Sequence, residues 1–201
     1  GEIEEKRLYL KSQNYFDKNN IRIIRNCKVV AIDRNNKTIL LENQKQLDYE
    51  KLIIATGSIV NKLKTNNRET DFYYLRTIGD SLAIKEKLRN NNKITIIGAG
   101  YIGLEIASIA IKKNLEVSVL ELEKRVMGRV VAKEVSDFFQ KKHQSEGVEF
   151  KFNTAITDIE DQGKQKRIIC SDGSFLNTDF VVIGVGIKPN IELAKNSGLK
   201  C

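Results

Sequence analysis

The run from Lys93 to Glu121 constrains this chain more than any other part of it. It reads as strand, glycine turn, helix, strand and acid. The parts are Ile94-Thr95-Ile96-Ile97, then Gly98-Ala99-Gly100-Tyr101-Ile102-Gly103, then Val117-Ser118-Val119-Leu120-Glu121. A GxGxxG alone is a weak signal, but between a strand and a helix each glycine gains a reason. The first lets the strand turn sharply, the second removes a side chain where a pyrophosphate approaches the backbone, and the third lets helix and sheet pack closely. Tyr101 and Ile102 then open the helix, whose unpaired N–H groups and partial positive charge suit phosphate. Glu121 ends the second strand, where a carboxylate can accept from a ribose diol.

A βαβ unit whose glycines serve packing alone would show the same spacing. Length raises another alternative, because Ile94 to Ile111 holds a single charge, Glu105, and approaches a membrane span in size. Three early glycines and flanks without a charge bias favour a buried soluble unit, so no membrane association is expected.

With 201 residues, 41% hydrophobic and 30% charged, the chain has the length and composition of a folded globular protein. Its net charge of +8 is spread without a basic block, which argues against nucleic acid and permits an acidic protein partner. No signal-peptide or lipidation pattern stands at the start, so a cytoplasmic location is expected; the first residue is not Met, which suggests a non-native start. Cys27, Cys170 and Cys201 are too far apart for a redox pair or a zinc site, and the first two read as buried thiols. His143 is the sole histidine, so no metal site is expected.

Two unlike pieces follow from the patterning. In the first, a helix is expected over Gln13 to Asn19 and strands over Ile21–Ile24, Lys28–Ile32 and Thr38–Leu41. A buried strand is expected over Lys51–Ala55, and residues 61–70 read as a linker. In the second, helices are expected over Ser81–Arg89 and Val131–Gln144, the latter with Val135, Phe138 and Phe139 at helical spacing. Short strands at Val148–Phe152, Ala155–Ile159, Arg167–Cys170 and Phe180–Ile183 precede the turn Gly184-Val185-Gly186-Ile187-Lys188-Pro189-Asn190, which holds the only proline.

Several motifs in one order give the chain a family likeness. They are Leu8-Tyr9-Leu10, Leu47 through Gly57, Tyr74-Leu75-Arg76-Thr77 with Asp80, the glycine fingerprint with Glu105, Glu121 through Met127, and Gly184 through Asn190. The whole resembles the pyridine nucleotide-disulfide oxidoreductase superfamily, nearest to its ferredoxin, rubredoxin and putidaredoxin reductases. The resemblance implies an α/β fold: a Rossmann-like NAD-binding domain (parallel sheet plus β-meander) with a partial FAD-binding domain of the same type. It implies domains at residues 1–79 (FAD) and 80–195 (NAD), with 196–201 beginning a return to the first.

The resemblance also implies roles. Gly98, Gly100, Tyr101, Ile102, Gly103, Glu105, Glu121, Arg125, Gly186 and Ile187 would serve NAD, with Glu105 near the nicotinamide amide and Gly186-Ile187 turning over the nicotinamide end. Val29, Ala55, Thr56, Gly57 and Arg76 would serve FAD. The implied reaction takes a hydride from NADH to FAD and passes electrons to a small iron–sulfur protein, with no side chain acting as acid, base or nucleophile. Glu121 and Glu123 would repel a 2′-phosphate and favour NADH, while Arg125 could accommodate that phosphate.

The family's first glycine fingerprint for FAD, its later Gly-Asp motif and its interface domain have no counterpart here, so a central segment is expected, which alone would lack activity if it cannot hold FAD. The same resemblance admits an NADH oxidase or CoA-disulfide reductase, and the missing motifs admit a non-catalytic NAD-binding module.

Overall fold

The computed structural model describes residues 4–63 and 72–201; most of the expected linker, from residue 64, lies outside them. In chain order a 3-10 turn (Glu5–Leu8) is followed by α1 (Gln13–Lys18), β1 (Val29–Asp33), β2 (Thr38–Leu41), β3 (Gln46–Asp48), β4 (Ser58–Val60) and β5 (Phe72–Tyr74). Then come α2 (Ile78–Asn90), β6 (Lys93–Ile97), α3 (Tyr101–Lys112), β7 (Glu116–Leu120), α4 (Lys133–Ser145) and β8 (Val148–Lys151). Last are β9 (Ile156–Asp161), β10 (Lys166–Cys170), β11 (Phe175–Thr178), β12 (Phe180–Ile183), β13 (Ile187–Pro189) and α5 (Glu192–Asn196).

The chain divides into two compact units, Gly1–Ile59 with Pro189–Cys201, and Val60–Lys188. The sequence reading divides it at 79/80 and 195/196 instead. The first boundary differs because β5 pairs in parallel with β12, Phe72 opposite Val181 and Tyr74 opposite Ile183, so it belongs to the second unit's sheet; the second differs because Asn190 is hydrogen-bonded to Thr56 and Gly57 of the first unit.

The first unit centres on the antiparallel sheet β1-β2-β3. Asp33 makes its tight turn by accepting N–H bonds from Asn35 and Asn36 through Oδ1, at 2.9 and 3.0 Å. Two expected strands are absent. Residues 21–24 are irregular with Ile21, Ile23 and Ile24 exposed, and residues 51–55 are irregular with Ile53 90% exposed. An apolar run becomes a strand only where a neighbour takes its N–H and C=O groups, and no described strand pairs with either.

The second unit is built on the parallel sheet β5-β12-β6-β7-β8. Alternation across its strands fills two cores. Ile94, Ile96, Val117, Val119, Phe180 and Val182 pack with Leu104, Ile106 and Ala107 of α3 and with Ile84 and Leu88 of α2. Ile97, Leu120, Val181 and Ile183 pack with Ile159, Ile168 and Cys170 of the antiparallel meander β9-β10-β11. The sheet is therefore covered on both faces, which is why the four residues of β12 read as one apolar run and are all buried.

Helix α2 begins at a capping box: Thr77 Oγ1 accepts from the Asp80 N–H, and Asp80 Oδ2 accepts from the Thr77 N–H at 2.7 Å. Burial alone would raise the Asp80 pKa, but the Thr77 and Arg76 N–H bonds outweigh it and hold the carboxyl below its ordinary value. In helix α4, Val135 and Phe138 are exposed, while Ser136 is fully buried and donates to the Val126 carbonyl at 2.6 Å. No helix among the described residues is long and apolar enough to cross a membrane.

Candidate nucleotide site

A cavity of about 780 Å³ opens in the second unit at the carboxyl ends of three parallel strands, and Ile97, Leu120 and Ile183, the last residues of β6, β7 and β12, line it. Strand β6 lies between β7 and β12, the crevice position where open α/β sheets bind ligands.

The three glycines of the turn differ in what surrounds them. Gly98 has φ +101°, and a Cβ there would stand 2.5 Å from the Gly184 carbonyl oxygen. A Cβ on Gly103 would meet the Gly98 carbonyl oxygen at 2.1 Å. Gly100 is the residue before α3 and faces open space, with no atom within 4 Å of the Cβ position. The middle glycine thus leaves a free approach to the helix N-terminus, where the residues present fit a pyrophosphate.

The turn is fixed by its surroundings. The Gly98 N–H donates to the Leu120 carbonyl at 2.8 Å, and the Ala99 carbonyl accepts from the Met127 N–H at 2.9 Å. Glu121 holds it from the side: Oε2 accepts from the Ala99 N–H at 2.6 Å and Oε1 from the Glu123 N–H at 2.9 Å. Each carboxylate oxygen keeps a lone pair for a further donor.

Of the residues nominated for NAD, Gly98, Gly100, Tyr101, Ile102, Glu121, Gly186 and Ile187 line this one cavity. Gly103 is buried and Glu105 is exposed on α3; neither is among the residues that line the cavity. Arg125 is outside the lining too, its guanidinium donating to the Gly128 carbonyl at 2.7 Å and the Val131 carbonyl at 3.1 Å. Arg129, not nominated from sequence, lines the cavity and is its sole cationic residue among the described ones. The run Arg125-Val126-Met127-Gly128-Arg129 carries no spacing signal to tell which arginine turns inward.

The residues nominated for FAD are not all in one unit. Val29 is half-buried in β1. Ala55, Thr56 and Gly57 are exposed in the same unit, where Thr56 Oγ1 donates to the Asn190 carbonyl at 2.6 Å and the Gly57 carbonyl accepts from the Asn190 N–H at 2.9 Å. Arg76 belongs to the second unit, exposed just before α2. The exposed backbone of Ala55–Gly57 fits a cofactor passing close to the chain, with Gly57 at φ +71°.

Cys170 is buried, Cys27 is half-buried and Cys201 exposed, all as free thiols. No cluster of potential metal ligands occurs among the described residues.

Putidaredoxin reductase CamA of Pseudomonas putida is 36% identical over 207 residues, covering 100% of this chain and 49% of the relative. Rubredoxin-NAD(+) reductase of Ectopseudomonas oleovorans is 33% identical over 202 residues, covering 100% of this chain and 52% of the relative. The chain thus spans about half the length of the curated relatives it matches. The crystal structure of the covalent putidaredoxin reductase-putidaredoxin complex superimposes with TM-score 0.92 at 35% identity, over 100% of this chain and 50% of that one. The ferredoxin reductase for the CYP199A2 system from Rhodopseudomonas palustris gives TM-score 0.90 at 36% identity, over 96% of this chain and 48% of that one. A family model described as pyridine nucleotide-disulphide oxidoreductase matches residues 2–201, and the chain belongs to that family.

Proposed function

We propose that this chain is the NADH-binding part, with a portion of the FAD-binding part, of a cytoplasmic oxidoreductase that passes electrons to a ferredoxin- or rubredoxin-type iron–sulfur protein. The observation that carries the reading is the open approach at Gly100, set in a strand-end cavity between two glycines that tolerate no side chain. The names of the relatives, reductases of putidaredoxin and of rubredoxin, support the choice of acceptor class.

In this reading Gly100 and the first N–H groups of α3, with Tyr101 and Ile102 beside them, receive the pyrophosphate. Gly98 and Gly103 hold the turn in shape. Glu121 and Glu123 face the adenosine ribose and disfavour a 2′-phosphate. Arg125 fixes the turn at 128–131 rather than answering such a phosphate, and the cationic side chain that lines the cavity is Arg129. Gly186 and Ile187 border the nicotinamide end, with Glu105 assigned to its amide. Val29, Ala55, Thr56, Gly57 and Arg76 are assigned to FAD. The chemistry supplied by the bound cofactors is hydride transfer followed by single-electron delivery; the chain binds, orients and excludes water.

The test is NADH-driven reduction of an electron-accepting dye by the chain with FAD in excess. Turnover would mean that the portion of the FAD-binding part present here seats FAD beside the nicotinamide. NADH binding without turnover would make the chain a dinucleotide-binding module, and absence of NADH binding would overturn the assignment of the cavity.

A further inference from the structure

Part of the cavity wall comes from chain that no motif marks. Val60 and Leu63 line the cavity beside Val185, Gly186 and Ile187. Asn61, between them, fastens this strap to the turn after β12. Its N–H donates to the Gly186 carbonyl at 3.0 Å, and its Nδ2 donates to the Val185 carbonyl at 3.3 Å. Gly186 has φ +95°, and a Cβ there would stand 3.4 Å from Asn61 Nδ2, so turn and amide fit with no side chain between them. The other end of the strap is held by Tyr74, whose hydroxyl accepts the Leu63 N–H at 3.1 Å. Tyr74 closes β5 directly opposite Ile183, the residue from which the turn departs. Two side chains therefore tie one strap to both ends of one corner.

The cavity is chemically divided. Its charged side chains, Glu121, Glu123 and Arg129, belong to segments bonded to the Gly98–Gly100 turn, whereas Val60, Leu63, Val185 and Ile187 offer only apolar side chains. A dinucleotide is divided in the same way, with its charge in the ADP-ribose portion and a flat pyridine ring at the far end.

Building on the nucleotide reading above, we propose that Asn61 and Tyr74 are positioning residues that set the Val185–Ile187 turn, and through it the apolar end of the cavity, for the nicotinamide ring. Neither needs to touch the ligand. Asn61 acts as a donor, because both atoms it faces are carbonyl oxygens. Aspartate, equal in size but without the side-chain donor, cannot replace it.

The experiment is calorimetric titration of the 201-residue chain and its variants with NAD+ and, separately, with ADP-ribose, which lacks the nicotinamide. Asn61→Ala and Asn61→Asp are expected to weaken NAD+ by about three- to tenfold, the effect of one neutral hydrogen bond, with ADP-ribose affinity held within about twofold. Tyr74→Phe, which removes the strap's other tie and keeps the ring, is expected to give the same split if the Asn61 variants do not fold. Unchanged NAD+ affinity, or an equal loss for both ligands, would overturn the positioning role while leaving the nucleotide site intact. Wild-type chain that bound neither ligand would remove the nucleotide reading, and this inference with it.

Discussion

Gly100 and Gly103 belong to one six-residue motif and answer to different forces. At Gly103 a methyl group would lie 2.1 Å from a backbone oxygen, so α3 would have to shift from β6. Gly103→Ala should cost about 1–3 kcal/mol or more of stability, as overpacking does, measured by denaturant titration. At Gly100 the space is open, so Gly100→Val should leave the unfolding midpoint close to wild type and abolish NADH binding by filling the approach to the helix. Wild-type NADH affinity in Gly100→Val would refute the pyrophosphate assignment. Spacing alone marks both glycines, but the contacts that distinguish them come from Gly98 and from the empty side of the turn. The same holds for Arg125 and Arg129, which differ by one turn of backbone and by whether carbonyl oxygens surround the guanidinium.

Helix α4 shows what a periodic pattern conveys and what it leaves out. The spacing of Val135, Phe138 and Phe139 identifies a helix correctly, and the helix runs Lys133–Ser145. It does not reveal the buried position, because the close approach is made by Ser136, fully buried with its hydroxyl donating to the Val126 carbonyl. Near its end His143 packs edge-on against Phe150 of β8, ring centroids 6.4 Å apart. Burial there lowers the imidazole pKa, Lys142 lowers it further, and Glu146 opposes both. The unfolded chain, with an ordinary histidine near 6.5, then binds the proton more readily than the folded one, so stability falls as pH drops below about 6.5. His143→Gln should flatten the melting temperature between pH 7 and 5.5, and an unchanged slope would show that other groups cause it. The central parallel strands β12, β6 and β7 were the most legible elements, since each is largely an apolar run with a strand on either side. The edge strand Phe72–Tyr74 was not, because pairing with Ile183 more than a hundred residues away makes it a strand. The runs at 21–24 and 51–55 fail as strands for the converse reason, having apolar residues and no described partner.

Across the whole molecule, burial is unevenly shared. Both hydrophobic clusters lie within residues 60–188, while the first unit contributes Leu41 and Ala194 as its buried apolar side chains among the described residues. A fragment of residues 60–188 is therefore expected to fold alone, to melt cooperatively and to bind NADH like the 201-residue chain. Loss of cooperative melting in that fragment would show that its cores depend on the first unit. The first unit also draws on two separated pieces of chain, residues 1–59 and 189–201, with the second unit inserted between them. On a ribosome this order becomes a delay. At roughly 5–20 residues per second, the sheet β1-β2-β3 emerges on the order of ten seconds before α5 can reach it. In that interval the inserted unit can close its own sheet as β12 appears, so the unit that begins later in the chain is the earlier one to finish.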